Sequence, residues 1–181
     1  MKITTVRFYN GSLEKVTRLG VSGILFELLC VLTETQIMLK EKKDANSGKA
    51  VRVAVDDALE DRGGWTKTAT GDLDWTKERE SNHATKVRVG VEVQVSARSD
   101  LVIRDLMHMR QNMTQGSVDV VVLVVPSDHM SRFLPDRAPT LSETRKYIES
   151  EFKEIQHFPL ILISIEHDGV GPALAKQKRR A

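Results

Sequence analysis

"KVRVGVEVQV", Lys86 to Val95, alternates valine with other residues along its whole length. A strand turns successive side chains to opposite faces, so Val87, Val89, Val91, Val93 and Val95 share one face, and Arg88, Gly90, Glu92 and Gln94 the other. Glu92 and Gln94 therefore stand side by side. Their backbones lie roughly 6–7 Å apart, close enough for both side chains to converge on one ion or one water. Alone, the alternation is the ordinary pattern of a half-buried antiparallel strand with one solvated face. The surrounding sequence decides whether the strand carries a site.

Upstream, "KITTVRFY" reads as a strand ended by the turn signal "NGS". From Val21 to about Lys40, Ile24, Leu25, Leu28, Leu29, Leu32 and Ile37 recur near helical spacing, with Ser22 as a cap, predicting one long helix. The polar loop "KEKKDANSGK" breaks it, and "AVRVAVDDALEDR" predicts a second helix closed by Gly63 and Gly64. A strand or hairpin is expected in "WTKTATGDLDWTK", followed by the polar connection "ERESNHAT". Beyond the valine strand, "DLVIRDLMHMRQNM" puts Val102, Leu106, Met109 and Met113 on one helical stripe, with Asp100 placed to cap it. "SVDVVVLVVP" is the near-continuous apolar run of a central strand buried on both faces. A loop, "SDHMSRFLPDRAPT", leads to a helix in "LSETRKYIESEFKEI" capped at Thr140 or Ser142. "FPLILISIEHDG" is a further buried strand, in which Glu166 to Asp168 read as a turn cap, and His108 and His129 read as ordinary polar residues. This order of strands and helices predicts an α/β fold, a mixed sheet flanked by helices.

The 181 residues are expected to form a single domain, 1–181, with a basic tail from about 172 to 181. A formal charge of +2 does not by itself announce a nucleic-acid binder, although clustered lysines and arginines make local positive surface. The single cysteine, Cys30, excludes an internal disulfide and suits a reducing compartment. "MKITTVRFYNGS" has no apolar secretion segment, and no apolar run approaches the ~20 residues of a membrane span. A cytoplasmic protein is the expectation.

Glu92 and Gln94 on one strand face suit metal-dependent phosphodiester chemistry, which needs oxygen ligands held close together. In the order "YNGSLEKV", long helix, "GGW", "KVRVGVEVQV", "DLVIRDLMHMR", "VDVVVLVVPSDHMS" and "LILISIEHDGVGPAL", the chain resembles restriction endonucleases of the BglII and BstYI type. These are a branch of the PD-(D/E)xK nucleases in which glutamine replaces the catalytic lysine. The resemblance implies a restriction-endonuclease-like sheet, Mg²⁺ as cofactor, double-stranded DNA as partner, and a homodimer cutting a palindromic, GATC-centred site. It makes Glu92 the metal-binding acid and Gln94 the lysine's stand-in, with Lys86 and Arg88 in matching places. The family's upstream aspartate, however, falls on His83. Either His83 serves as ligand or base, or Asp74 or Asp72 of "GDLDW" reaches the site, or the site is impaired. Asp74 is favoured because Mg²⁺ prefers carboxylate oxygen, with Glu78 and Glu80 next in turn.

By the same resemblance, DNA contacts fall in "SDHMSRFLPDRAPTLSETRK". Arg132 and Arg137 suit bidentate bonds to guanine, and Asp136, Thr140 and Ser142 suit neighbouring base edges. Arg98, just after the site strand, is a further groove candidate. Arg145, Lys146 and the tail's Lys176, Lys178, Arg179 and Arg180 suit phosphate. The competing readings are a catalytically impaired DNA-binding protein of the same fold, and a nuclease requiring modified bases.

Overall fold

A computed structural model of the chain describes residues 1–68, 73–80, 86–95, 100–135, 138–151 and 157–175. The elements are β1 (Lys2–Tyr9), α1 (Ser12–Arg18), α2 (Ser22–Glu34), β2 (Met38–Leu39), α3 (Gly48–Arg62), β3 (Thr66–Lys67), β4 (Trp75–Glu80) and β5 (Lys86–Val93). They continue with α4 (Asp100–Thr114), β6 (Val120–Pro126), α5 (Asp128–Ser131), α6 (Leu141–Lys146) with a π-helical turn at Tyr147–Glu151, β7 (Leu160–Glu166) and β8 (Gly169–Val170).

Six strands form one sheet in the order β1-β7-β6-β5-β4-β3. The three central strands β5, β6 and β7 are parallel to their neighbours among themselves, while β1 and the β3–β4 hairpin pair antiparallel at the flanks. The mixed α/β sheet flanked by helices is thus as expected. Parallel strands need both faces covered, and the valine run of β6 meets that need. Val120, Val122 and Val124 enter the core shared with α2 and α3, whereas Val121, Leu123 and Val125 enter the one shared with Leu106 and Met109 of α4. Because β4 runs against β5, the start of β4 and the ends of β5, β6 and β7 meet at one sheet edge.

Several expectations need correction. The helix foreseen from Val21 to Lys40 stops at Glu34, where Thr35 is extended, and Ser22 does not cap it. Ile37 is instead buried beyond the helix, its backbone N–H donated to Asp168 Oδ2 at 2.8 Å, as the chain enters β2 to pair with β8. Tertiary pairing overrides helical spacing there. The short helices α1 and α5 lie in stretches that carry too few turns for periodicity to reveal. Glu78, Arg79 and Glu80 belong to β4 rather than to a connection. The capping of α6 is as foreseen, through a capping box of Thr140 and Glu143. No single helix among the described residues is long and apolar enough to cross a membrane.

Candidate active site

The polar face of β5 is shielded from solvent over its C-terminal part, beyond the half-exposed Arg88. Gly90 and Gln94 are buried and Glu92 is half-buried, which removes the plain reading of an exposed strand face. Gln94 is 5% exposed, and its amide nitrogen donates to Asp105 Oδ2 at 2.6 Å. Asp105 belongs to α4, one turn from the buried Val102 and Met109, and is itself 4% exposed.

Asp74 immediately precedes β4, at the same sheet edge. Its backbone N–H donates to Glu92 Oε2 at 3.2 Å, while its own Oδ2 accepts from the Val93 N–H at 2.8 Å. The two carboxylates are therefore laced together through the backbone of the β4–β5 pair. Arg52 of α3 completes the support from the opposite face of the sheet. Its guanidinium pairs with Asp74 Oδ1, donates to the Val93 carbonyl at 2.8 Å, and donates from Nε to Asp56 Oδ1 at 2.9 Å. Asp56 also accepts from Trp75 Nε1 at 2.8 Å and from Lys67 Nζ at 2.9 Å.

The electrostatics divide this cluster in two. Around Asp56, burial works against ionisation, but Arg52, Trp75 and Lys67 prevail and hold the carboxyl below its usual range. Burial also opposes the Arg52 cation, yet Asp74 and Asp56 outweigh it and raise its pKa. Glu92 goes the other way. Burial first, then the charges of Asp74 and Asp105, push its carboxyl up to about 10 against the partial relief of Arg52. Burial likewise raises Asp105, against Gln94 and Arg104. Burial and the crowded carboxylates thus favour the protonated form of Glu92, and a divalent cation would relieve the same repulsion.

Residues 14–176 match the model of the family described as "Restriction endonuclease BamHI". The chain belongs to the BamHI restriction endonuclease family. With that family come the type II site-specific deoxyribonucleases and double-stranded DNA as the molecule bound. The match does not carry the narrower BglII and BstYI assignment that the sequence suggested. No curated protein matches the chain.

Among the BamHI-family chain's expected site residues, Glu92, Gln94 and Asp74 come together at one edge. Glu78 does not, since it pairs with Arg88 and Lys86 toward the far end of β5, and Glu80 is exposed beyond it. Arg132 follows α5 and is exposed, with no ion pair among the described residues. Two hydroxyls expected to face DNA bases are engaged within the protein: Thr140 caps α6, and Ser142 donates to Asp128 Oδ2 at 2.5 Å. Arg145 pairs with Glu149 at 3.2 Å, and Lys146 is exposed one residue on. Asp72, His83, Arg98, Asp136, Arg137, Lys176, Lys178, Arg179 and Arg180 lie outside the described residues.

Sequence reasoning missed Arg52, Asp56 and Asp105. Arg52 and Asp56 look like any exposed i, i+4 pair on a helix, and nothing in their spacing ties them to a distant strand. Asp105 did leave a signal: it sits three residues after Val102 and four before Met109, inside the apolar stripe, where a carboxylate requires a partner.

Proposed function

We propose that the chain is an Mg²⁺-dependent type II restriction endonuclease whose centre is formed by Asp74, Glu92 and Gln94. The observation that carries this is the lacing of Asp74 to Glu92 through two backbone N–H groups, beside a Glu92 whose burial and acidic neighbours raise its proton affinity. The donors are two carboxylates and a carboxamide oxygen, the hard set that Mg²⁺ prefers, so the residues fit the ion. Held by them, Mg²⁺ supplies charge neutralisation at the scissile phosphate and a more acidic water.

The chain's own residues orient the donors. Arg52 and the Val93 N–H fix the two oxygens of Asp74, and Asp105 fixes the carboxamide of Gln94. Asp74 takes the place of the aspartate that the resemblance puts at His83. Arg132, Arg137, Arg98 and Asp136 are the contacts to base edges or groove, while Thr140 and Ser142 brace the loop from within, and Arg145, Lys146 and the basic tail meet phosphate. One domain per protomer and a homodimer give two centres related by a two-fold axis, which matches a palindromic, GATC-centred target.

Plasmid cleavage with Mg²⁺ tests the reading. Wild-type protein is expected to give discrete fragments. Glu92→Ala is expected to abolish cutting while DNA binding persists, because Lys and Arg contacts to phosphate do not depend on this acid. Asp74→Asn is expected to lose most cleavage and to need more metal to recover any, and His83→Ala to matter less. Full cutting by Glu92→Ala, or a greater loss from His83→Ala than from Asp74→Asn, overturns the assignment.

A further inference from the structure

At the same sheet edge, one and two strands over from β5, the ends of β6 and β7 bring together side chains that the nuclease centre does not use. His129 lies on α5, Glu166 closes β7, and His167 follows it. One ligand atom from each lies within 4.8 Å of the other two, close enough to hold one metal ion. The "EHD" run read as a turn cap is used otherwise: Asp168 accepts from the distant Ile37 N–H, and Glu166 Oε1 accepts from the His167 N–H. We propose that His129, Glu166 and His167 form a structural site for a divalent transition ion of the Zn²⁺ type.

Two imidazoles and one carboxylate are borderline donors that favour Zn²⁺, Co²⁺ or Ni²⁺ over Mg²⁺. The outer contacts agree with that use. Glu166 Oε2 accepts from the Ser127 hydroxyl and lies 3.2 Å from His129 Nδ1, and Glu166 Oε1 meets His167 Nδ1. The other ring nitrogen of His167 lies 3.2 Å from Glu41 Oε1. An imidazole facing a metal through one nitrogen and a carboxylate through the other is how proteins fix ligand tautomer and raise basicity. The two rings stack 11° from parallel with centroids 5.6 Å apart, and Phe133 packs edge-on against both, so the donors are already aligned. His167 is buried, whereas the His129 side chain is 55% exposed and leaves an entry path for the ion. Ligation would tie the end of β7 to α5, whose Asp128 holds Ser142 at the head of α6.

Two strand spacings of roughly 5 Å, with Glu166 four residues beyond the level of Glu92 at roughly 3.3 Å each, put this group more than about 10 Å from the oxygen donors of β5, so the two sites share no ligand. Tag-free protein, stripped with a chelator and held in saturating Mg²⁺, is titrated with Co²⁺ and followed by visible absorption and equilibrium dialysis. The expected result is one Co²⁺ per chain, displaced by Zn²⁺, with a d–d spectrum unchanged in Glu92→Gln. His129→Ala and His167→Ala are expected to weaken Co²⁺ at least tenfold, and Glu41→Gln about tenfold with the spectrum retained. His129 is exposed, so its variant remains decisive if His167→Ala fails to fold. No Co²⁺ bound by wild type, undiminished binding in His129→Ala, or binding lost in Glu92→Gln each overturns the site.

Discussion

At the residue scale, Glu92 carries the tension of the candidate centre. Folding moves its pKa from an ordinary 4.5 to about 10, by burial and then by Asp74 and Asp105. The folded, metal-free chain therefore holds this proton more tightly than the unfolded chain does. Its contribution is fully present below about pH 4.5 and is lost progressively as pH rises toward 10, so Glu92 makes the metal-free protein less stable in alkali. Replacing the carboxyl with a neutral amide removes that slope and keeps an oxygen for the Asp74 N–H. Metal-free Glu92→Gln is expected to be more stable than wild type at pH 8 by up to about 5 kcal/mol, with little difference at pH 4. Urea midpoints at the two pH values check this, and parallel loss in both proteins would exclude Glu92 as the source. Part of this residue's environment was legible beforehand: its strand, its face and its neighbour Gln94 follow from alternation. The acids that raise its pKa were not, because Asp74 was one of several candidates and Asp105 comes from a helix packed across the sheet.

At the element scale, the valine strand shows why alternation was a sound guide to β5 yet silent about its surroundings. Period-two spacing fixes which residues share a face, but not what covers that face. Here the cover is Leu73 and Val118, both buried, and the room they leave is glycine-sized. A Cβ added at Gly90 would stand 2.3 Å from Leu73 Cδ1 and 3.2 Å from Val118 Cγ1. Leu73 adjoins Asp74, so displacing its side chain displaces a proposed ligand. Gly90→Ala is expected to cost about 1–3 kcal/mol of stability by overpacking. It is also expected to lower the cleavage rate more than Val89→Ala, which opens a cavity on the other face at comparable stability cost. If the two variants lose activity in proportion to stability alone, Leu73 does not transmit the disturbance. The helices tell the complementary story. Periodicity located α3 and α4 well, but ran past the end of α2, since Ile37 satisfies helical spacing while its backbone is claimed by Asp168.

At the scale of the whole molecule, topology gathers the chemistry. Three parallel strands deliver their C-terminal ends to one edge, and the antiparallel β4 adds Asp74 there. The order of strands and helices made this architecture readable in outline. The contacts that would face DNA were less readable, because hydroxyls such as Thr140 and Ser142 serve equally well as caps and loop braces. A net charge of only +2 sharpens the same point: affinity for DNA has to come from a few placed cations rather than from the charge of the whole molecule. Arg132, exposed at the end of α5 on this edge, is the described residue best suited to separate base reading from phosphate binding. If it reads a guanine, Arg132→Ala is expected to lose roughly 1–3 kcal/mol on the cognate site and to relax specificity at one base pair. If it meets phosphate, the loss is equal on cognate and random DNA, and the slope of log K against log salt shrinks by about 0.9. Binding isotherms at several salt concentrations, taken with Mg²⁺ withheld so that no strand is cut, distinguish the two. Unchanged affinity and unchanged slope on both DNAs would remove Arg132 from the interface and shift base reading to the rest of the loop between α5 and α6.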